Sequence, residues 1–215
     1  MLSESVSILN NKLMLVVLIG LLDLGIFIGD FYVYSTIGVF AAFFLSMVLF
    51  GDIVASVNKV ETSSALEVIK KNIVNYIIVT IVLGLPVVLV GVVAQEESAA
   101  KELSKLIVGL LTIYVLPIVF MKHMGIPSIV VGVTYLFNVA KISVPIILTI
   151  IASCLVNYSI FAVWTPQSSP EQTVVGMLPY IICVSVISAY LSFLAFTMAT
   201  KVLANNNETS EGKMA

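Results

Sequence analysis

Apolar residues run along this chain in blocks too long and too even for a strand or for one face of a water-soluble helix. Windows of about 19 residues pick out six such blocks, at 13–33, 36–57, 73–94, 106–121, 143–163 and 174–200. At about 1.5 Å of rise per residue they match a hydrocarbon core of about 30 Å, the fourth only if Leu103 or Met124 extends it. The pattern predicts an all-α polytopic membrane protein with six transmembrane helices in three hairpins, filling residues 1–204, followed by a polar tail at 205–215. The first block does not read as a secretory leader. It has only Lys12 in front of it, is too long for the apolar part of a signal peptide, and ends in Gly29-Asp30-Phe31-Tyr32 where cleavage needs small residues.

Polar positions between the blocks predict further helices. Ser64-Ala65-Leu66-Glu67 has the spacing of a capping box, in which Ser and Glu satisfy each other's orphan backbone N–H groups, so a helix should begin there. Leu66, Ile69 and Ile73 share one face and Ser64, Glu67, Lys70 and Lys71 the other, as on a helix lying along a membrane surface. Pro127 suits a first helical residue, and Thr134, Asn138 and Lys141 form a narrow polar stripe behind it, so 128–141 repeats the plan. The segment from Ser3 to Lys12 is a third copy. The chain thus reads as three units, each an interfacial helix on the cytoplasmic side followed by a hairpin.

Charge adds an orientation. Lys12, Lys59, Lys70, Lys71, Lys122, Lys141, Lys201 and Lys213 fall on one side of the predicted membrane and only Lys101 and Lys105 on the other, which puts both termini in the cytoplasm of a cell-membrane protein. Tyr32, Tyr34, Tyr158 and Trp164 then fall at the outer interface, where amphipathic rings settle. Glu97, Lys101 and Lys105, spaced by four, predict a short solvated helix in the outer loop at 95–105. Composition agrees: 60% of residues are hydrophobic, 10% are charged, and the mean hydropathy is +1.15. The net charge is -2 and every basic residue is Lys. A chain with no Arg fork offers no bidentate grip on phosphate, which argues against nucleic acid as a partner.

The run Ser63-Ser64-Ala65-Leu66-Glu67-Val68-Ile69-Lys70-Lys71-Asn72 before a span, with Leu116-Pro117-Ile118-Val119 closing the fourth span, resembles multi-pass membrane families related to the membrane domain of glycerophosphoryl diester phosphodiesterases. The resemblance covers residues 36–163 and departs from the pattern at Lys122 and His123, where the family often has an acidic residue. It implies a helical membrane domain without the phosphodiesterase catalytic domain, for which the chain has no room.

Candidate chemistry is sparse. Asp23, Asp30 and Asp52 are the only charges inside the spans and could form a ladder across the first hairpin, with Asp23 at mid-membrane and expected to face other helices. Met121-Lys122-His123-Met124 offers soft ligands for Cu(I), but a lone imidazole without Cys reads better as an interfacial residue, so no cofactor is expected. Cys154 and Cys183 fall at equal depth on neighbouring spans and read as small residues at a helix contact. Asn157-Tyr158-Ser159 and Asn207-Glu208-Thr209 match a glycosylation acceptor, but the first falls at membrane depth and the second on the cytoplasmic side, so neither should be modified. Pro86 and Pro117 are interior and should kink their helices, whereas Pro145 and Pro179 fall in first turns. No catalytic motif is present, so a non-enzyme is expected. Small residues at Gly25, Gly29, Gly51 and Ala55, and at Ser185, Ser188, Ser192, Ala195 and Ala199, suit close helix packing. They favour an accessory subunit held by the lipid bilayer and by other membrane subunits. The alternative is a small proton- or cation-coupled transporter or channel working through the aspartates.

Overall fold

The computed structural model describes residues 1–23, 32–93, 99–163 and 170–211, and every regular element among them is helical. In chain order these are α1 (Leu2–Asn10), α2 (Leu13–Asp23), α3 (Tyr32–Val57), α4 (Ala65–Val93), α5 (Ala99–Leu111), α6 (Val115–Lys122), α7 (Pro127–Asn138), α8 (Ala140–Val163) and α9 (Pro170–Glu211). Consecutive helices pack in pairs, α2 with α3, α4 with α5 and α8 with α9.

Four of these helices, α3, α4, α8 and α9, are long and apolar enough to cross a membrane. A fifth crossing is obtained if α1 and α2, bent by 76° at Asn11 and Lys12, count as one. The segment from Ser3 to Lys12 is therefore helical and turns sharply into the first apolar block. The fourth expected span is not one helix. The α-helical ladder runs to the bond from Thr112 N–H to Val108 C=O at 3.0 Å and picks up again with Ile118 N–H to Tyr114 C=O at 3.1 Å. Between them Thr112–Tyr114 separate α5 from α6. Pro117 causes the break: it has no N–H to give to Ile113, four residues back, and its ring crowds that carbonyl. The kink expected at Pro117 is thus displaced to Ile113, and Pro117 lies in the first turn of α6. Pro145 and Pro179, expected in first turns, are interior because α8 and α9 start earlier than the apolar blocks do.

Helix ends follow local chemistry. Ser64 accepts the first backbone bonds of α4, from Glu67 at 2.9 Å and Val68 at 3.1 Å, and the helix continues unbroken into the third apolar block. Ile69 and Ile73 of the expected apolar face are half-buried against the core. Val68 and Asn72 are buried and Leu66 is exposed, because Gly51 on α3 leaves a notch that Val68 fills; a Cβ at Gly51 would lie 2.4 Å from Val68 Cγ1. The outer solvated helix expected at 95–105 is merged into α5 from Ala99 on, and Glu97 lies outside the described residues. The tail boundary at 204 is crossed by α9, which reaches Glu211; Asn206 there donates to the Tyr135 hydroxyl.

The core is built around α9. Over its apolar stretch Leu178–Asn206, 56% is buried, against 11% for Ala65–Val90 of α4. Phe50 of α3 sits at the centre, its ring 4.3 Å from Phe196, 5.3 Å from Phe193 and 5.4 Å from Phe120. Clustered rings add attraction beyond the area they bury.

Candidate functional site

The break between α5 and α6 opens onto a cavity of about 460 Å³. Ile146, Ile150, Ser153, Cys154 and Asn157 of α8 line it, a spacing that keeps them on one face of that helix. Opposite lie Gly109 of α5, Thr112 and Ile113 of the break, Leu116 and Pro117 of α6, and Ser192, Phe193, Ala195 and Phe196 of α9, with Phe50 closing the space. Irregular backbone is tolerated at membrane depth where it lines such a cavity.

The polar side of the cavity is a serine cluster. Ser153 Oγ lies 3.1 Å from the Ser188 carbonyl, to which it donates, and 3.1 Å from both Ser188 Oγ and Ser192 Oγ. Ser185, Ser188 and Ser192 were expected to serve close helix packing, within this chain or against other subunits. Ser188 and Ser192 meet α8, and Ser185 is buried beside Gly20, where a Cβ on the glycine would lie 2.9 Å from Val186 Cα and 3.3 Å from the Ser185 carbonyl. Ala195 and Ala199 are buried on the same helix. The small side chains let α2 and α8 approach α9 closely, so this chain uses its own stripe. Farther along the same contact the Tyr180 hydroxyl donates to Ser159 Oγ at 2.8 Å. No acid, base or cation is among the cavity's lining residues. The wall offers hydrogen bonds, apolar surface and the Cys154 thiol.

The aspartates do not come together as a described ladder. Asp52 Oδ2 accepts from Lys12 Nζ at 3.1 Å, with both side chains mostly buried. Asp23 ends α2, its side chain outside the described part, and Asp30, Gly25 and Gly29 lie outside the described residues. Ala55 is half-buried on α3. Cys154 lines the cavity while Cys183 is exposed, so the equal depth read from their spacing does not make them facing partners.

At the other end of α6 His123 adopts the left-handed conformation, φ 51° and ψ 35°, that closes the helix. Its Nδ1 is 2.9 Å from Asn72 Oδ1, and its carbonyl accepts from Asn75 Nδ2 at 2.7 Å. The imidazole thus ties the α6–α7 turn to α4, while Met121 and Met124 pack against the core. Among the described residues no three His, Cys, Asp or Glu side chains gather as a metal site would require. Burial, helped by the Lys71 ammonium, holds His123 below its ordinary value of 6.5. A folded-state value below the unfolded one means the protein gains stability from neutral His123 above pH 6.5 and loses it as the pH falls through the lowered value. We expect unfolding in detergent to become easier below pH 6.5, and His123→Gln to flatten that slope while other acid-induced changes persist. An unchanged slope in the variant assigns the effect to other groups.

Comparison of the chain with protein-family models, with curated proteins and with solved structures gives no match. Function is argued from the geometry alone.

What the sequence did not reveal is the cavity. Thr112 and Pro117 carried the signal of a break, but an averaged apolar window passes over it, and the facing serine of α8 lies far away in sequence.

Proposed function

We propose that this chain is a non-catalytic accessory subunit of a larger membrane protein complex, crossing the cell membrane six times with both termini in the cytoplasm. In this reading α5 and α6 together make the fourth crossing, and α1, α7 and the start of α4 lie at the cytoplasmic surface, where most of the lysines gather. The observation that carries the reading is the outer face of α4. Ile77, Ile78, Ile81, Leu85, Val88 and Leu89 are all exposed on it. Gly84 lies in the same stretch, and a Cβ built there meets nothing within 4 Å. Small residues in membrane helices earn their place by letting a second backbone approach, and among the described residues none takes up that space. A neighbouring chain would.

The competing reading, a cation-coupled transporter working through Asp23, Asp30 and Asp52, loses ground because Asp52 already has Lys12 as its counter-ion. The resemblance to phosphodiesterase-related membrane domains adds an architecture and no activity to either reading.

Native mass spectrometry of the chain extracted from its own membrane in mild detergent tests the proposal. We expect it in an assembly with other membrane chains. Gly84→Leu should weaken that assembly by about tenfold, the usual penalty of an overpacked contact. The same variant should change the isolated chain's stability by less than about 1 kcal/mol. A chain that runs alone, with Gly84→Leu without effect, overturns the subunit reading.

A further inference from the structure

We propose that the cavity behind the broken fourth span is a binding site for an uncharged single-chain amphiphile, a hydrocarbon tail carrying a hydroxyl or carbonyl head. The inference goes beyond the subunit reading and does not depend on it. Shape argues first. From Ile146 to Asn157 the lining face of α8 extends about 16 Å at 1.5 Å per residue, so a space of about 460 Å³ is a slot and not a sphere. That volume is within the range of small-molecule sites, about 300–1,000 Å³.

The slot is graded along its length. Ile146 and Ile150 mark one end of the α8 face, and Ser153 and Asn157 the other, with Ser192 of α9 bonded to Ser153 at that polar end. Phe50, Phe193, Phe196, Ile113 and Leu116 supply the rest of the apolar wall. Asn157 stands one helical turn beyond Ser153 and makes no hydrogen bond to any described residue. Its side chain is exposed, so the amide is free to offer two donors and an acceptor to an incoming head group. The serine hydroxyls keep spare acceptor capacity after bonding one another. No Lys, His, Asp or Glu lines the slot, so an ionised head would shed its hydration without finding a counter-charge. The occupant is therefore uncharged, with its head at Asn157 and its tail toward Ile146.

Gly109 keeps the opposite wall open. A Cβ there would meet only Ile150 Cγ2, at 3.8 Å, an ordinary contact, so a larger side chain at this position would enter the slot without striking backbone.

The full chain in phosphatidylcholine vesicles, photolysed with dodecanol carrying a diazirine on its tail, tests the site. We expect adducts on the lining residues Ile146 to Asn157 of α8 and Phe193 to Phe196 of α9, in excess over Ile81 and Val88 of α4, which are exposed to lipid when the chain is alone in the vesicle. Asn157→Leu should cut that labelling roughly fivefold, the effect of one lost hydrogen bond. Gly109→Leu should abolish it, and the ionised dodecanoate analogue should label at least about tenfold less. Phosphatidylcholine with the same diazirine in its acyl chain is the competing occupant. Lining adducts from it as strong as those from the alcohol would show that a two-chain zwitterionic lipid enters the slot and would overturn the assignment to an uncharged single-chain amphiphile; adducts from the alcohol alone support it. Labelling of the slot no stronger than that of Ile81 and Val88, or equal labelling in both variants, overturns the proposal.

Discussion

Gly132→Leu should be among the most damaging single substitutions in this chain, costing at least about 3 kcal/mol of stability. Gly132 lies at the contact of α7 with the start of α6, where a Cβ would fall 2.8 Å from Val115 Cγ2, 2.9 Å from Val115 N and 3.0 Å from Val115 Cα. Two of those three atoms are backbone, and Val115 is fully buried, so no side-chain rotation relieves the clash. The helices must separate instead. Tyr114, next to Val115, holds Ser143 of α8 through a 2.7 Å hydrogen bond and stands edge-on to Tyr135 of α7 with ring centres 4.8 Å apart. Moving α7 away therefore strains the tie between the helix break and α8 as well. Thermal unfolding in detergent is the measurement, with Gly132→Ala expected to fall between wild type and Gly132→Leu. Gly84→Leu, where open space receives the side chain, is the control. Equal melting of Gly132→Leu and wild type would mean that α7 does not pack on α6 as described.

The long elements were legible in the sequence because burial in lipid and burial in protein both demand apolar residues. The blocks at 36–57, 143–163 and 174–200 correspond to α3, α8 and α9. Ends and breaks were less legible, since they depend on single residues that a window averages away. Pro117 announced a disturbance, but its place, at Ile113, follows from which carbonyl loses its donor. The polar composition of the tail suggested a domain boundary at 204, whereas Asn206 bonds to Tyr135, a partner 71 residues away. Contacts at that separation leave no local trace.

The candidate site was legible in kind and not in detail. Ser185, Ser188 and Ser192 read in the sequence as a surface for close helix approach, but a stripe does not name what it approaches. Here it meets Ser153 of α8 and Gly20 of α2. Asn157 drew notice only as part of a glycosylation pattern. Its placement in a cavity required Pro117 to break one helix and Gly109 to leave a wall bare, two effects on other elements.

Lys12 and Asp52 give the second large expected effect. Lys12 stands at the 76° elbow between α1 and α2, and its ammonium reaches Asp52 near the end of α3 at 3.1 Å. Side-chain exposures of 27% and 19% leave the pair mostly out of water, so removing one partner strands the other in poor solvent. Reversing one charge is worse. Two like charges about 4 Å apart repel by about 4 kcal/mol at the effective dielectric of a protein boundary, and relaxation toward solvent reduces that to roughly 2–3 kcal/mol. Asp52→Lys and Lys12→Asp should each destabilise the chain by about that amount, and the double swap should recover most of it, because the attraction depends on opposite sign and not on which helix carries which charge. A transport role for Asp52 makes a different demand. If its carboxylate carried a cation, the double swap would restore stability yet abolish sodium or proton flux in liposomes. If Asp52 only anchors the elbow, the swapped protein should assemble and behave as wild type does, and failure of the double swap to regain stability would show that the pair does not hold α2 against α3.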